Sequence, residues 1–198
     1  MEQRAVMAQQ LIDGRVIEAC QQGDRDAFQL LFETYKDKVF SLAVYTVGGD
    51  RAVADDVTQQ IFLKLFTAIR QFRGDSEFTT WLYRLVVNAC IDERRRRKRW
   101  LPWGETETIA MKNPGEKKPQ EKQVARLEVA EAVQSAIAEL KPKFRLPILL
   151  KYIEGLSYEE IASVMNCSKG TVASRLNRGH SQLAKRLSHL NNPGFWGE

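Results

Sequence analysis

Apolar side chains return every three or four residues along most of this chain, the spacing of one helical face. A first helix starts at Arg15 with Val16, Ile17 and Cys20 on one side, and Gln22-Gly23-Asp24 ends it. Asp24 or Asp26 caps a long helix carrying Ala27, Leu30, Leu31, Tyr35, Val39, Leu42 and Ala43, which stops at Gly48-Gly49-Asp50. Asp55 and Asp56 then open a helix whose inward stripe is Val57, Ile61, Leu65 and Ile69. Its other face shows Asp56, Gln59, Gln60 and Leu63. Past the polar loop Arg73-Gly74-Asp75-Ser76, with Thr79 or Thr80 as cap, the spacing predicts a helix burying Trp81, Leu82, Leu85, Val86 and Ala89. Arg84, Asn88, Asp92 and Arg95 fall on its opposite side.

The pattern breaks after Arg99. Residues 100–123 hold Pro102, Pro114 and Pro119, two glycines and mixed charge with little periodicity, which reads as a linker. Helical spacing resumes near Val124 with Val129, Val133, Ile137 and Leu140, and an apolar helix runs from Phe144 to Ile153 with Pro147 within about its first turn. Gly155 ends it. Ser157-Tyr158-Glu159-Glu160 is a capping box, followed by Ile161, Ala162 and Met165 facing inward and a turn at Asn166-Cys167. Ser168 caps a last helix with Val172, Leu176, Leu183 and Leu187 toward the core. Two capped helices around a tight turn, the second longer and basic, are the pattern of a helix-turn-helix. The expectation is an all-α protein of two small domains, 15–99 and 124–190, on a flexible linker, with tails at 1–14 and 191–198.

Composition narrows the chemistry. A net charge of +5 and a pI of about 9.2 over 198 residues suit an acidic partner without identifying one. Arrangement says more, because Arg94 to Arg99 are six basic residues in a row. Two or three cations would satisfy a helix C-terminus; six repel one another unless a polyanion takes them up. Trp81 and Phe78 beside such a run suit unstacked bases, although both also read as core. In the C-terminal module, Thr171, Ser174, Asn177 and Arg178 turn away from the leucine stripe with Arg175 at the flank. Arg175 and Arg178 can donate in pairs to guanine, and Lys169 or Thr171 can reach phosphates. Asp55 and Asp56 can be read simply as complements to a helix dipole.

Cys20, Cys90 and Cys167 are odd in number and widely separated, which reads as reduced thiols and not a metal site. His180 has no second ligand at metal spacing, and no nucleotide-binding or hydrolase motif occurs. No enzyme, metal or cofactor is expected. Without an apolar leader or an 18-residue apolar run, a soluble cytoplasmic protein is expected.

Gly74-Asp75-Ser76, Phe78, Thr80 to Arg84 and Val87-Asn88 before a basic run resemble the promoter-melting segment of bacterial sigma factors of the extracytoplasmic function group. The stretch Asp55-Asp56-Val57-Thr58-Gln59-Gln60-Ile61-Phe62 is similar to that family's segment for gripping core RNA polymerase. Leu156 to Arg178 resembles its −35 reader. The resemblance, over about 24–99 and 128–187, implies a promoter-specificity subunit of RNA polymerase. It implies that Phe78 lines a pocket for a flipped −10 base, that Trp81 and Asn88 support the opened strand, and that Arg84, Arg94, Arg95, Arg96 and Arg97 hold phosphates. Polymerase contact would fall to Asp55, Asp56, Gln59, Gln60 and Phe62; many members carry Glu where this chain has Gln60. Lys169, Thr171, Ser174, Arg175, Asn177 and Arg178 would read the −35 duplex. An anti-sigma factor covering these surfaces is also implied. The rival expectation is a conventional operator-binding regulator in which only the C-terminal module touches DNA.

Overall fold

A computed structural model describes residues 14–100 and 121–188, with side chains over 14–97 and 129–188. The expected tails and most of the expected linker lie outside these residues. The chain divides into two compact units, at residues 1–102 and 103–198.

In the first unit, α1 (Gly14–Gln22) packs on α2 (Arg25–Val47), which in turn packs against both α3 (Arg51–Ala68) and α4 (Phe78–Trp100). Gly23, at φ 90°, lets α1 turn out through two backbone bonds, Gly23 N–H to Cys20 O and Asp24 N–H to Ala19 O. Asp24 then caps α2 by accepting from the Asp26 and Ala27 N–H groups at 2.9 and 3.1 Å. The α2 stripe is buried at Leu31, Tyr35, Val39, Leu42 and Ala43, whereas Leu30 lies outside it, exposed.

Three features of α3 and α4 differ from the sequence expectation. The helix expected to open at Asp55 starts four residues earlier, because Asp50 caps it by accepting from Val53 N–H at 3.1 Å. Asp55 and Asp56 therefore sit in its second turn, where the dipole explanation for them no longer holds. The α4 stripe is turned by about one residue, roughly 100°. Leu82, Tyr83, Val86, Val87 and Cys90 are buried, while Trp81, Leu85 and Ala89 are only half-buried. The cause is that α4 contacts α2 and α3 together, so a wide arc of it is covered, and Tyr83, Val87 and Cys90 belong to that arc. Helix α4 begins at Phe78, which places Thr79 and Thr80 inside its first turn and not at the cap.

Among the described residues a buried hydroxyl is left over. Thr58 Oγ1, on the covered side of α3, finds no hydrogen-bond partner among the described residues. Thr58→Val keeps the shape and removes that orphan, so it should raise the stability of this unit by about 1 kcal/mol in a denaturant titration. An unchanged or lower midpoint would show that the hydroxyl is satisfied.

The second unit holds α5 (Glu121–Ala138), α6 (Pro142–Tyr152), α7 (Tyr158–Val164) and α8 (Lys169–Arg186), with α6 and α7 both packed on α8. Helix α6 begins with Pro142, which moves Pro147 beyond the first turn into the helix interior. The capping box forms as expected: Glu160 N–H donates to Ser157 Oγ at 3.2 Å and Ser157 N–H to the Glu160 carboxylate at 2.7 Å. Ile161 and Val164, not Ala162 and Met165, are its deeply buried residues. Asn166, at φ 47°, makes the tight turn. On α5, Ala136 is buried and Val129, Val133 and Ile137 are half-buried, with Leu140 buried just beyond the helix.

Two features here carried no sequence expectation. Arg145 is buried, and its guanidinium donates to the carbonyls of Ala138 and Leu140 at the C-terminal end of α5. A cation suits the negative end of a helix, and there it ties α5 to α6. Gly179 is buried where α8 meets α6; a Cβ added there would stand 3.1 Å from Ile148 Cγ1 and 3.3 Å from the Phe144 carbonyl oxygen.

Candidate functional site

Three surfaces carry the candidate residues. The first is built where the loop 72–77 enters α4. Gln21 of α1 donates its side-chain amide to Phe72 O at 2.7 Å and Ile69 O at 3.2 Å, fixing where that loop starts. Phe72, Phe78 and Trp81 then form a ring cluster: Phe72 stands edge-on to Phe78 at 5.6 Å, and Trp81 is tilted against both at 5.3 and 5.8 Å. Phe78 is the floor, 6% exposed and backed by Tyr35 at 5.7 Å. Half-buried Phe72 and Trp81 form the rim. The rotated register of α4 puts Trp81 on the same side as half-buried Arg84 and exposed Asn88, a face offering an aromatic ring, a cation and an amide in line.

Arg94, Arg95 and Arg96 are exposed further along α4. Arg95 lies 3.9 Å from Asp92 and Arg96 2.8 Å from Glu93, pairs between exposed arginines and their own helix that salt screens easily. Arg97 differs, since its Nη1 donates to Asp50 at 3.0 Å. The Val53 N–H, and after it the Arg97 guanidinium, hold the Asp50 carboxyl below the usual carboxylate range. With the folded value lowered, the stabilisation is present at neutral pH and is lost as pH falls through that value.

The second surface is the outer face of α3. Asp55, Asp56, Gln59 and Gln60 are all exposed, with Gln59 donating to Asp55 at 3.3 Å. Phe62 is not on this face: it is 5% exposed and packs edge-on against Phe32 at 4.7 Å. It follows Ile61 by one position, and α3, like α4, is covered over a wide arc by two neighbours. The apolar groups that do reach water are Leu63, 73% exposed, and Phe66, whose ring meets Phe28 at 5.0 Å. The spacing already puts Leu63 on this face, whereas Phe66 falls outside the stripe and is passed over by a search for periodic core residues.

The third surface is α8. Ser168 Oγ accepts from Thr171 N–H at 3.2 Å and lies 2.9 Å from Thr171 Oγ1, and Ser174 Oγ donates to Thr171 O at 3.0 Å. Both Thr171 and Ser174 hydroxyls are thus used within the helix. Lys169 is paired with Glu159. Asn177 and Arg178 project into solvent, and half-buried Arg175 lies beside Cys167, its Nη1 3.9 Å from Sγ. The face therefore presents two guanidinium groups and an amide in the N-terminal half of the second helix of a helix-turn-helix.

No group of metal-ligating side chains is found among the described residues, where Cys20 and Cys90 are buried free thiols and burial pushes the Cys90 thiol up to about 12. His180 packs edge-on against Tyr152 at 5.5 Å. None of the described helices is long and apolar enough to cross a membrane.

The Sigma-70 region 2 profile matches residues 31–100 and the Sigma-70 region 4 profile residues 130–183. The ECF RNA polymerase sigma-E factor of Escherichia coli K12 is 36% identical over 191 residues, which span 93% of this chain and 98% of that protein. The RNA polymerase sigma-H factor of Pseudomonas aeruginosa is 37% identical over 184 residues, covering 90% and 95%. Among solved structures, the sigma factor RpoE of Bartonella quintana, in a co-crystal with the anti-sigma factor NepR, has the same fold at a TM-score of 0.68, with 21% identity over 81% of this chain and 96% of that one. CnrH, solved with the cytosolic domain of CnrY, matches at a TM-score of 0.62 and 25% identity, covering 88% and 96%. With both regions matched in order and relatives aligned over nearly its whole length, the chain belongs to the extracytoplasmic function sigma factors, which bind RNA polymerase and direct it to promoters.

Proposed function

We propose that the three surfaces divide the work of initiation. The outer face of α3 holds core polymerase through Asp55, Asp56, Gln59 and Gln60, with Leu63 and Phe66 as apolar anchors and Phe62 supporting them from inside. The loop 72–77 and α4 take up the melted −10 strand: a base stacks at the rim formed by Phe72 and Trp81, Phe78 is the floor beneath it, Asn88 and Arg84 bind the strand, and Arg94, Arg95 and Arg96 hold phosphates. In the second unit Arg175, Asn177 and Arg178 read the −35 duplex in the major groove, while Lys169, Thr171 and Ser174 act near its backbone or support the helix. Residues 15–99 and 124–190 are then the two working domains, and 100–123 the segment that joins them. The protein works in the cytoplasm without chemistry of its own, so binding free energy supplies the cost of melting. An anti-sigma factor, the kind of partner NepR is to RpoE in their co-crystal, would occlude these faces.

The observation that carries this reading is the α4 face itself, where a half-buried tryptophan lines up with an arginine, an asparagine and exposed arginines. An operator-binding regulator would have no use for that face, and the region 2 match over 31–100 disfavours it. For the α3 surface, Asp56→Arg reverses a charge in open solvent and should weaken core-polymerase affinity about tenfold with the helical content unchanged. Equal affinity for mutant and wild type would remove this face from the interface.

A further inference from the structure

One arginine of the basic run is held unlike those just before it. The Arg97 side chain is 37% exposed, against 65% for Arg96 and 78% for Arg95. Its Nη1 reaches back 47 residues in sequence to Asp50 Oδ2 at 3.0 Å, and its Nε stands 3.8 Å from Glu93 Oε1. Glu93 is itself only 11% exposed and takes Arg96 Nη2 on its other oxygen at 2.8 Å. Asp50 is equally committed, because one carboxylate oxygen caps α3 at Val53 N–H while the other accepts from Arg97.

This places a charged cluster where the N-cap of α3 meets the last turns of α4. Helix α3 carries the face proposed for polymerase, and α4 the face proposed for the opened strand. A guanidinium bonded to Asp50 at 3.0 Å with the Glu93 carboxylate 3.8 Å from its Nε has a fixed direction, and turning it to a phosphate would strip the α3 cap of its partner. Planar, fork-shaped donors are suited to holding two carboxylates in a set geometry. We propose that Arg97 is a positioning residue: it fixes the basic end of α4 against the start of α3, setting the register between the polymerase face and the strand-binding face, and is not itself a phosphate ligand. The proposal rests on the assignment of those two faces made above.

The test uses holoenzyme reconstituted from core polymerase and the full chain, with a promoter fork whose −10 strand is unpaired and with intact promoter duplex. A phosphate ligand contributes about 0.7 to 0.9 to the slope of log affinity against log salt. Arg95→Ala should lose that amount on the fork, and Arg97→Ala should leave the slope unchanged. On intact promoter, Arg97→Ala should form open complex about fivefold more slowly at unchanged core affinity, Arg97→Lys, which keeps the charge without the fork, should restore only part of the rate, and the defect should vanish on an Asp50→Ser background, where the cap is kept and the partner is gone. A slope that falls by a full contact for Arg97→Ala, or a defect equally large with Asp50 and with Ser at that position, overturns the proposal. So does an open-complex rate equal to wild type, which would leave the cluster purely structural. If Arg97→Ala loses helicity, Arg97→Gln, an uncharged good helix former, gives the slope in its place. Failure of the surface assignments would look different: Arg95→Ala and Asp56→Arg would both be silent.

Discussion

Trp81→Ala is expected to slow open-complex formation about 10- to 100-fold while leaving core-polymerase affinity unchanged, the size of losing a base stacked on an aromatic ring. The indole is half-buried at the rim of a three-ring cluster and lies on the solvent side of α4, so its removal exposes the neighbouring rings without opening a deep cavity. Phe78→Ala does not give the same information. That ring is enclosed by Tyr35, Phe72 and Trp81, and truncating it should cost about 3 to 5 kcal/mol of stability in the first unit, which mixes a folding defect with any melting defect. Stopped-flow fluorescence of a base analogue in the −10 strand measures the effect; an unchanged rate for Trp81→Ala would remove the ring from strand capture.

A large stability effect is also expected in the second unit. Gly179→Val should destabilise it by about 3 kcal/mol, since even the first carbon of a side chain would stand 3.1 Å from Ile148 and 3.3 Å from the Phe144 backbone, and the two further methyls have nowhere to go. The contrast with alanine is instructive. Gly179→Ala gains about 1 kcal/mol of helix propensity and must displace an isoleucine branch and the Phe144 carbonyl by only a few tenths of an ångström, so its net change should be small. Urea titrations of the two variants read the difference; equal midpoints would show that α6 and α8 can separate at no cost. Because α8 carries Arg175 and Arg178, Gly179→Val should also lower −35 duplex binding in proportion to the fraction unfolded.

These two positions mark what sequence reading can and cannot supply. Three caps were legible because their chemistry is local, Asp24, Ser157 with Glu160, and Ser168 each bonding to backbone within three residues. Asp50, by contrast, was masked by the Asp55-Asp56 pair, and Thr79 and Thr80 lie inside their helix. The helix-turn-helix was legible for the same reason. Faces were harder. Periodicity assumes one neighbour, but α3 and α4 are each packed on two sides, so Phe62 moved inside and Trp81 moved out. Long-range partners were not legible at all. Nothing local says that Arg97 returns to Asp50, that buried Arg145 closes the end of α5, or that Gly179 is the closest approach of two helices. Family resemblance supplied the roles of the three surfaces but gave Arg94 to Arg97 one common task, and the geometry separates the last from the others.

Recognition of two different states of DNA by two separate units is tested most directly by equilibrium binding of reconstituted holoenzyme to two ligands. One ligand is a single-stranded −10 oligonucleotide and the other a −35 duplex. Trp81→Ala should weaken the first by about tenfold and leave the second alone, while a paired Arg175→Ala, Arg178→Ala variant should do the reverse. Variants that weaken both ligands alike, or neither, would contradict the account.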